Sequence, residues 1–178
     1  PWQMLCERTG ATLRYIPINE KGELVLESLE EIIDENTAMV AFNHISNSLG
    51  TINPVSTILA RAKAVGAWTL VDGAQSGPHA KANVQDWDVD FFTLASHKMY
   101  GPTGLGVLYG KRERLETLPP YQGGGEMIAT VTLEKSTYAE IPHKFEAGTP
   151  HIEGVIGFGA ALKFMNSIGI EAIAQHEA

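Results

Sequence analysis

The chain has 178 residues, 44% hydrophobic and 19% charged, which suits one globular domain or part of one and excludes a disordered chain. Lys and Arg number 13 against 21 Asp and Glu, a net charge of −8, so neither nucleic acid nor a membrane is the expected partner, since both attract clustered positive charge. The one cysteine excludes an internal disulfide and a cysteine-rich zinc site and fits a reducing compartment.

No run approaches the roughly 20 apolar residues that a membrane-spanning helix needs. The chain opens on Pro1, shows no signal peptide, and reads as beginning inside a longer polypeptide. Trp2, Leu5 and Cys6 share a helical face, which predicts a helix ending at Gly10 and a buried, structural thiol at Cys6. Thr12 to Ile18 reads as a short strand. Ser28 followed by Glu31 predicts a capping box at the start of a short helix.

Thr37 to Phe42 is a continuous apolar run, the pattern of a strand buried on both faces. After a polar loop from Asn43 to Pro54, the spacing predicts a helix over Val55 to Val65, closed by Gly66. Further buried strands are expected at Trp68–Val71, ending on Asp72, and at Phe91–Ala95, ending on Ser96, His97 and Lys98. A fourth, short strand is expected at Gly106–Tyr109. A glycine-rich loop at Gly123–Gly125 and an irregular stretch to Pro150 precede a helix from about Gly154 to Ile168 and the start of another.

Strands alternating with helices indicate an α/β layer architecture with a largely parallel sheet. Ligands of such sheets bind beyond the carboxyl ends of the strands. That rule singles out three loops, Asn43–Gly50, Asp72–Ser76 and Ser96–Gly104, which hold most of the unusual polar residues.

Lys98 follows an apolar strand and precedes a turn. An amine partly desolvated there is a nucleophile for carbonyl groups, whereas the bland alternative is a surface lysine at a strand end. Asp72 is suited to hold a cationic ring nitrogen, ligate a metal or cap the next helix. Together they fit pyridoxal phosphate, which needs a lysine for its aldehyde and an acid for its pyridine nitrogen. Ser96 and His97 beside Lys98 are candidate phosphate donors. A metal site of His44, Asp72 and His97 is not expected, since no ligand pair has helical spacing. Gly101–Gly106 matches no dinucleotide fingerprint, and no phosphate-loop Gly-Lys-Ser/Thr occurs.

Four ordered segments carry a family resemblance: His44-Ile45-Ser46-Asn47-Ser48-Leu49-Gly50, Val71-Asp72-Gly73-Ala74-Gln75, Ser96-His97-Lys98-Met99-Tyr100-Gly101-Pro102-Thr103-Gly104 and Phe145-Glu146-Ala147-Gly148-Thr149-Pro150. The chain resembles SufS-type cysteine desulfurases, a branch of the class-V, fold-type I pyridoxal-phosphate enzymes that overlaps with selenocysteine lyases. The resemblance implies a three-layer α/β/α fold with a mostly parallel sheet, of which residues 1–178 are the central part of the large domain.

By this resemblance Lys98 binds pyridoxal 5′-phosphate and moves protons at the substrate α-carbon. Asp72 pairs with the pyridine nitrogen, Gln75 meets the phenolic oxygen and Ala74 packs on the ring. His97 binds phosphate and Asn47 lies near the substrate carboxylate. Thr149 and the Gly123–Gly125 loop reach the phosphate of a neighbouring subunit, which implies a homodimer. Ala95 stands where the family often has a phosphate-binding serine, with Ser96 as the possible substitute.

The same resemblance puts the cofactor-stacking histidine before Pro1, and the persulfide-forming cysteine and carboxylate-binding arginine after Ala178. The reaction implied removes sulfur from L-cysteine, leaving alanine. The sulfur passes to an acceptor carrier protein for iron–sulfur cluster assembly in the cytoplasm. The alternatives are a sister class-V reaction (selenocysteine lysis, kynurenine cleavage or transamination) and a catalytically incomplete fragment.

Overall fold

The computed structural model describes residues 1–177. Helix α1 (Trp2–Thr9) ends on Gly10 in the left-handed region, φ 74°, as expected. It buries no side chain, and Cys6 is half-exposed instead of a buried thiol, because the apolar stripe of α1 meets no packed layer among the described residues. The strand expected over Thr12–Ile18 does not form. Only Ile18 makes a bridge, to Leu24, with the Val25 amide on the Pro17 carbonyl at 2.9 Å, and no ladder extends this pairing among the described residues.

Ser28 precedes α2 (Leu29–Ile32) but makes no capping box. Residues Leu26–Ser28 are already wound as a 3-10 turn, so Ser28 lacks the extended backbone of a capping residue. Its hydroxyl instead donates to the Val25 carbonyl at 3.0 Å.

Then come β1 (Met39–Asn43), α3 (Val55–Ala64), β2 (Trp68–Asp72), α4 (Ser76–His79), α5 (Val84–Trp87), β3 (Phe91–Ala95), β4 (Gly106–Gly110) and α6 (Arg112–Thr117). The sheet order is β1-β2-β3-β4. The first two pairings are parallel and the last antiparallel, because β3 and β4 are joined by a short loop with no crossover helix. The stretch read as irregular contains a hairpin, β5 (Ile128–Val131) and β6 (Ser136–Tyr138). Its strands are exposed on both faces and so lack the apolar alternation that marks a packed strand. The chain continues with α7 (Ile152–Ile168) and α8 (Ile170–Glu177).

Helix α3 buries Val55, Ile58, Leu59 and Ala62, an i, i+3, i+4, i+7 stripe. Ile58 and Ala62 join Leu29, Ile33 and Val40, while Val55 and Leu59 join Val71, Val89 and Phe92. A third cluster, Met99, Phe158, Ala161, Met165 and Ile173, seats α7 and α8 beside the turn that follows β3. The strands are less enclosed than their apolar runs predict. In β2, Thr69 and Val71 are buried, whereas Trp68 and Leu70 are half-buried and Asp72 is exposed. No single helix among the described residues is long and apolar enough to cross a membrane. Helices α7 and α8 reach that length only together, across a 76° bend.

The amino-terminal end of the sheet is held by a buried carboxylate. Asp90, 4% exposed, accepts from the Thr69 amide at 2.9 Å, the Thr69 hydroxyl at 3.0 Å and Arg114 Nε at 2.9 Å. The Asp90 amide donates back to Thr69 Oγ1 at 2.9 Å. Burial works against this charge, but Arg114 and Thr69 outweigh it and hold the carboxyl below its usual range. Beside it, Lys111 and Lys63 each approach Asp88, at 2.5 and 2.8 Å, and hydrogen bonds from both hold its pKa at about 2.

Asp90→Ala strands the Thr69 amide and Arg114 without an acceptor. It is expected to lower unfolding stability by about 3 kcal/mol, read from urea denaturation. Asp88 has a folded pKa of about 2, below an unfolded value of about 3.9. Its contribution is therefore present above about pH 4 and lost as pH falls toward about 2. The Asp88→Asn variant, whose new side chain tolerates the left-handed φ of 50° at this position, should show a shallower loss of the urea midpoint across that window.

Candidate functional site

The carboxyl ends of β1, β2 and β3 form one edge. Register places Asn43 against Asp72, and Asp72 against Thr93. The His44 amide donates to the Asp72 carbonyl at 2.9 Å, and the Gly73 amide to the Thr93 carbonyl at 2.9 Å. Asp72, Gln75 and Lys98 thus leave adjacent parallel strands at the same end.

Asp72 Oδ1 accepts from the Ala74 amide at 2.8 Å and from the Thr93 hydroxyl at 3.5 Å. These two donors orient the carboxylate and leave Oδ2 free of protein partners among the described residues. The turn that follows is tight. A side chain at Gly73 would run into the Phe92 ring, so glycine lets the backbone leave the sheet directly after the carboxylate. Ala74 and Gln75 are half-buried at the start of α4.

After β3 the chain makes a 3-10 turn over Ser96–Lys98. The Ser96 carbonyl accepts from both the Met99 amide, at 2.8 Å, and the Gly101 amide, at 3.0 Å. Tyr100, at φ 59°, reverses the backbone, and Met99 points inward with 6% exposure. Lys98 is half-buried. Lys63 and Lys111 form ion pairs and Lys144 binds the carbonyls of Leu115 and Leu118, whereas Lys98 has no partner among the described residues. His97 is exposed.

Ser96 opens this 3-10 turn. Its hydroxyl is fully buried without a hydrogen-bond partner, pressed toward Gly101, where a side chain would collide with it and with Phe158. It lies between half-buried Ala95 and exposed His97.

Asn47 is exposed in a loop closed by the Ile45–Ile52 bridge and by the Ser46 amide on the Thr51 carbonyl at 2.9 Å. That loop leaves β1 at the Asp72 end of the sheet. Beside it lies a depression of about 560 Å3, bounded by Lys21, Leu24, Leu26, Leu49 and Ile52.

Thr149 and the glycine-rich loop come together elsewhere. The Gly148 amide donates to the Gly125 carbonyl at 2.9 Å, which places exposed Thr149 next to Gly123–Gly125. The supporting roles of Thr93, Gly73 and Gly101 were not apparent from residue type. Only the pairing register and the close approaches identify them. No group of three metal-ligating side chains occurs among the described residues.

The sequence profile of the class-V aminotransferases matches residues 1–178. A cysteine desulfurase of Enterobacter sp. (strain 638) is 54% identical over 100% of this chain and 44% of its own length. The crystal structure of the cysteine desulfurase CsdA from Escherichia coli superposes with a TM-score of 0.93 at 38% identity, covering 96% of this chain and 43% of that one. SspA in complex with cysteine superposes with a TM-score of 0.75 at 27% identity, covering 91% of this chain and 43% of that one. The chain thus spans less than half the length of these relatives.

The packing under Lys98 makes its own prediction. Gly101→Ala should cost about 1–3 kcal/mol by overpacking, whereas Ser96→Ala, which removes an unsatisfied buried hydroxyl, should be neutral or stabilising. The double variant should recover part of the Gly101→Ala loss in thermal denaturation. Strict additivity would show that the two positions do not press on each other.

Proposed function

The chain belongs to the class-V aminotransferase family, and from that premise we propose that it is the cofactor platform of a pyridoxal-phosphate cysteine desulfurase. The observation that carries this reading is the juxtaposition of Asp72 and Lys98 at the ends of adjacent parallel strands, the carboxylate oriented and the amine unpaired. The residues fit the group. An unpaired, half-buried amine suits an aldehyde, and a carboxylate with one free oxygen suits a protonated ring nitrogen. When bound, the cofactor supplies an electron sink for the bonds of an amino acid's α-carbon.

Each residue has a defined task. Lys98 would hold the cofactor by its aldehyde, and its amine would carry the proton to and from the substrate α-carbon. Asp72 keeps the ring nitrogen protonated. Ala74 would support the ring face, and Gln75 would serve its phenolic oxygen. His97 and Ser96, beside Lys98, would hold the phosphate. Asn47 orients the substrate carboxylate. Thr149 and the Gly123–Gly125 loop, joined by the Gly148–Gly125 bond, serve the phosphate of a second subunit in a homodimer.

The substrate in this reading is L-cysteine, in keeping with the cysteine bound to SspA. The products are alanine and a persulfide, destined for a sulfur-acceptor carrier protein and cytoplasmic iron–sulfur cluster assembly.

Addition of pyridoxal phosphate should give a visible absorption band that Lys98→Ala abolishes; a band unchanged by that substitution refutes the role of Lys98. Asp72→Asn should keep the band but slow exchange of the α-proton of L-alanine in deuterated water by about tenfold or more, since a charged hydrogen bond is worth about 1.5–3 kcal/mol. Exchange at the original rate would remove Asp72 from the site.

A further inference from the structure

Helix α3 begins without a cap. The residue at its cap position is Pro54, which has no side-chain oxygen, and its first turn holds no acidic residue. Asn53, a residue type that would ordinarily cap, is committed elsewhere, its Nδ2 donating to the Asn43 carbonyl at 2.7 Å and to Asn43 Oδ1 at 3.0 Å. The Val55 amide binds the Asn53 carbonyl and the Ile58 amide the Pro54 carbonyl. The amides and hydroxyls of Ser56 and Thr57 have no hydrogen-bond partner among the described residues. Both side chains are exposed.

His44 lies in the same place. It is 8% exposed and meets the Trp87 indole edge-on, with ring centroids 4.9 Å apart and an interplanar angle of 85°. Its Nδ1 is sealed from solvent and has no partner. A proton there would be a buried donor left unmade, so the ring proton sits on Nε2. Burial also lowers the pKa of His44, which keeps the ring neutral at physiological pH. Nε2 is then a donor, and no described acceptor receives it. His44, Pro54, Ser56, Thr57 and Trp87 border one surface depression of about 210 Å3.

From this convergence we propose that the α3 amino terminus and His44 form a binding site for a small oxyanion, the phosphate or carboxylate group of a metabolite. Backbone amides at a helix start carry partial positive charge and point along the axis toward an incoming anion. Two such amides, two hydroxyls and the Nε2–H of a neutral imidazole supply the donors that an oxyanion needs, and no carboxylate lines the depression to oppose it. The Trp87 ring gives it an apolar wall and fixes the imidazole. The site uses none of the groups assigned to the strand-end mouth.

The test is titration of the full, isotope-labelled chain with inorganic phosphate and, separately, with acetate, at constant ionic strength and pH 7.5. Amide and imidazole nitrogen shifts are followed by NMR. The proposal predicts an Nε2–H tautomer for His44 and saturable shifts at Ser56, Thr57 and His44 Nε2. His44→Phe should weaken phosphate at least tenfold. Thr57→Glu, which places a carboxylate on the same amides and favours the helix, should also weaken it at least tenfold. Saturation by phosphate alone assigns the site to phosphate groups, and by acetate alone to carboxylates; saturation by both supports the shared chemistry. Shifts that never saturate with either ion, or that persist unchanged in both variants, overturn it.

Discussion

The active edge of this protein depends on a bond made at the other end of the sheet. Asp90 and Thr69 exchange hydrogen bonds across β2 and β3, side chain to backbone in both directions. A shift of one residue would break all of these bonds and turn every side chain to the opposite face. Three residues further along each strand, the same register sets Asp72 against Thr93. At about 3.3 Å per residue, the staple lies about 10 Å from the carboxylate it aligns. Arg114 extends this control to α6, and Lys111 brings the β4–α6 turn to Asp88 and Asp90. The polar network has few other duties: it sets strand alignment, and strand alignment brings an amine and a carboxylate to one opening.

That division explains what was legible from residue order. The strands at β1, β2 and β3 were readable because apolar runs stop abruptly at Asn43, Asp72 and Ser96, and α3 because its buried stripe repeats at helical spacing. The rule about carboxyl ends of parallel strands, together with four motifs in order, pointed to the edge where Asp72 and Lys98 leave β2 and β3. Cys6, the stretch Thr12–Ile18 and the hairpin β5–β6 went the other way: α1 buries no side chain, Thr12–Ile18 forms no ladder beyond the Ile18–Leu24 bridge, and the hairpin strands are exposed. Local pattern reports what a segment is able to do, whereas a strand or a buried thiol needs something beside it. Ser28 failed as a cap because the preceding turn had already claimed its backbone.

The site residues fall into two groups with different supports. Asp72, Ala74, Gln75, His97 and Lys98 sit on the sheet edge, held by ladder bonds and by close approaches at Gly73 and Gly101. Thr149 and the glycine-rich loop are held to each other by a single backbone bond. In the reading proposed here the first group works within its own subunit and the second serves a neighbour. This chain spans 44% of the Enterobacter relative.

The most direct test of that claim is a crystal structure of the protein with pyridoxal phosphate bound. The account predicts continuous density from Lys98 Nζ to the cofactor's aldehyde carbon, and Asp72 Oδ2 within about 3 Å of the ring nitrogen, with the strands in their present register. A cofactor joined to any other lysine, or a ring nitrogen facing away from Asp72, would contradict it.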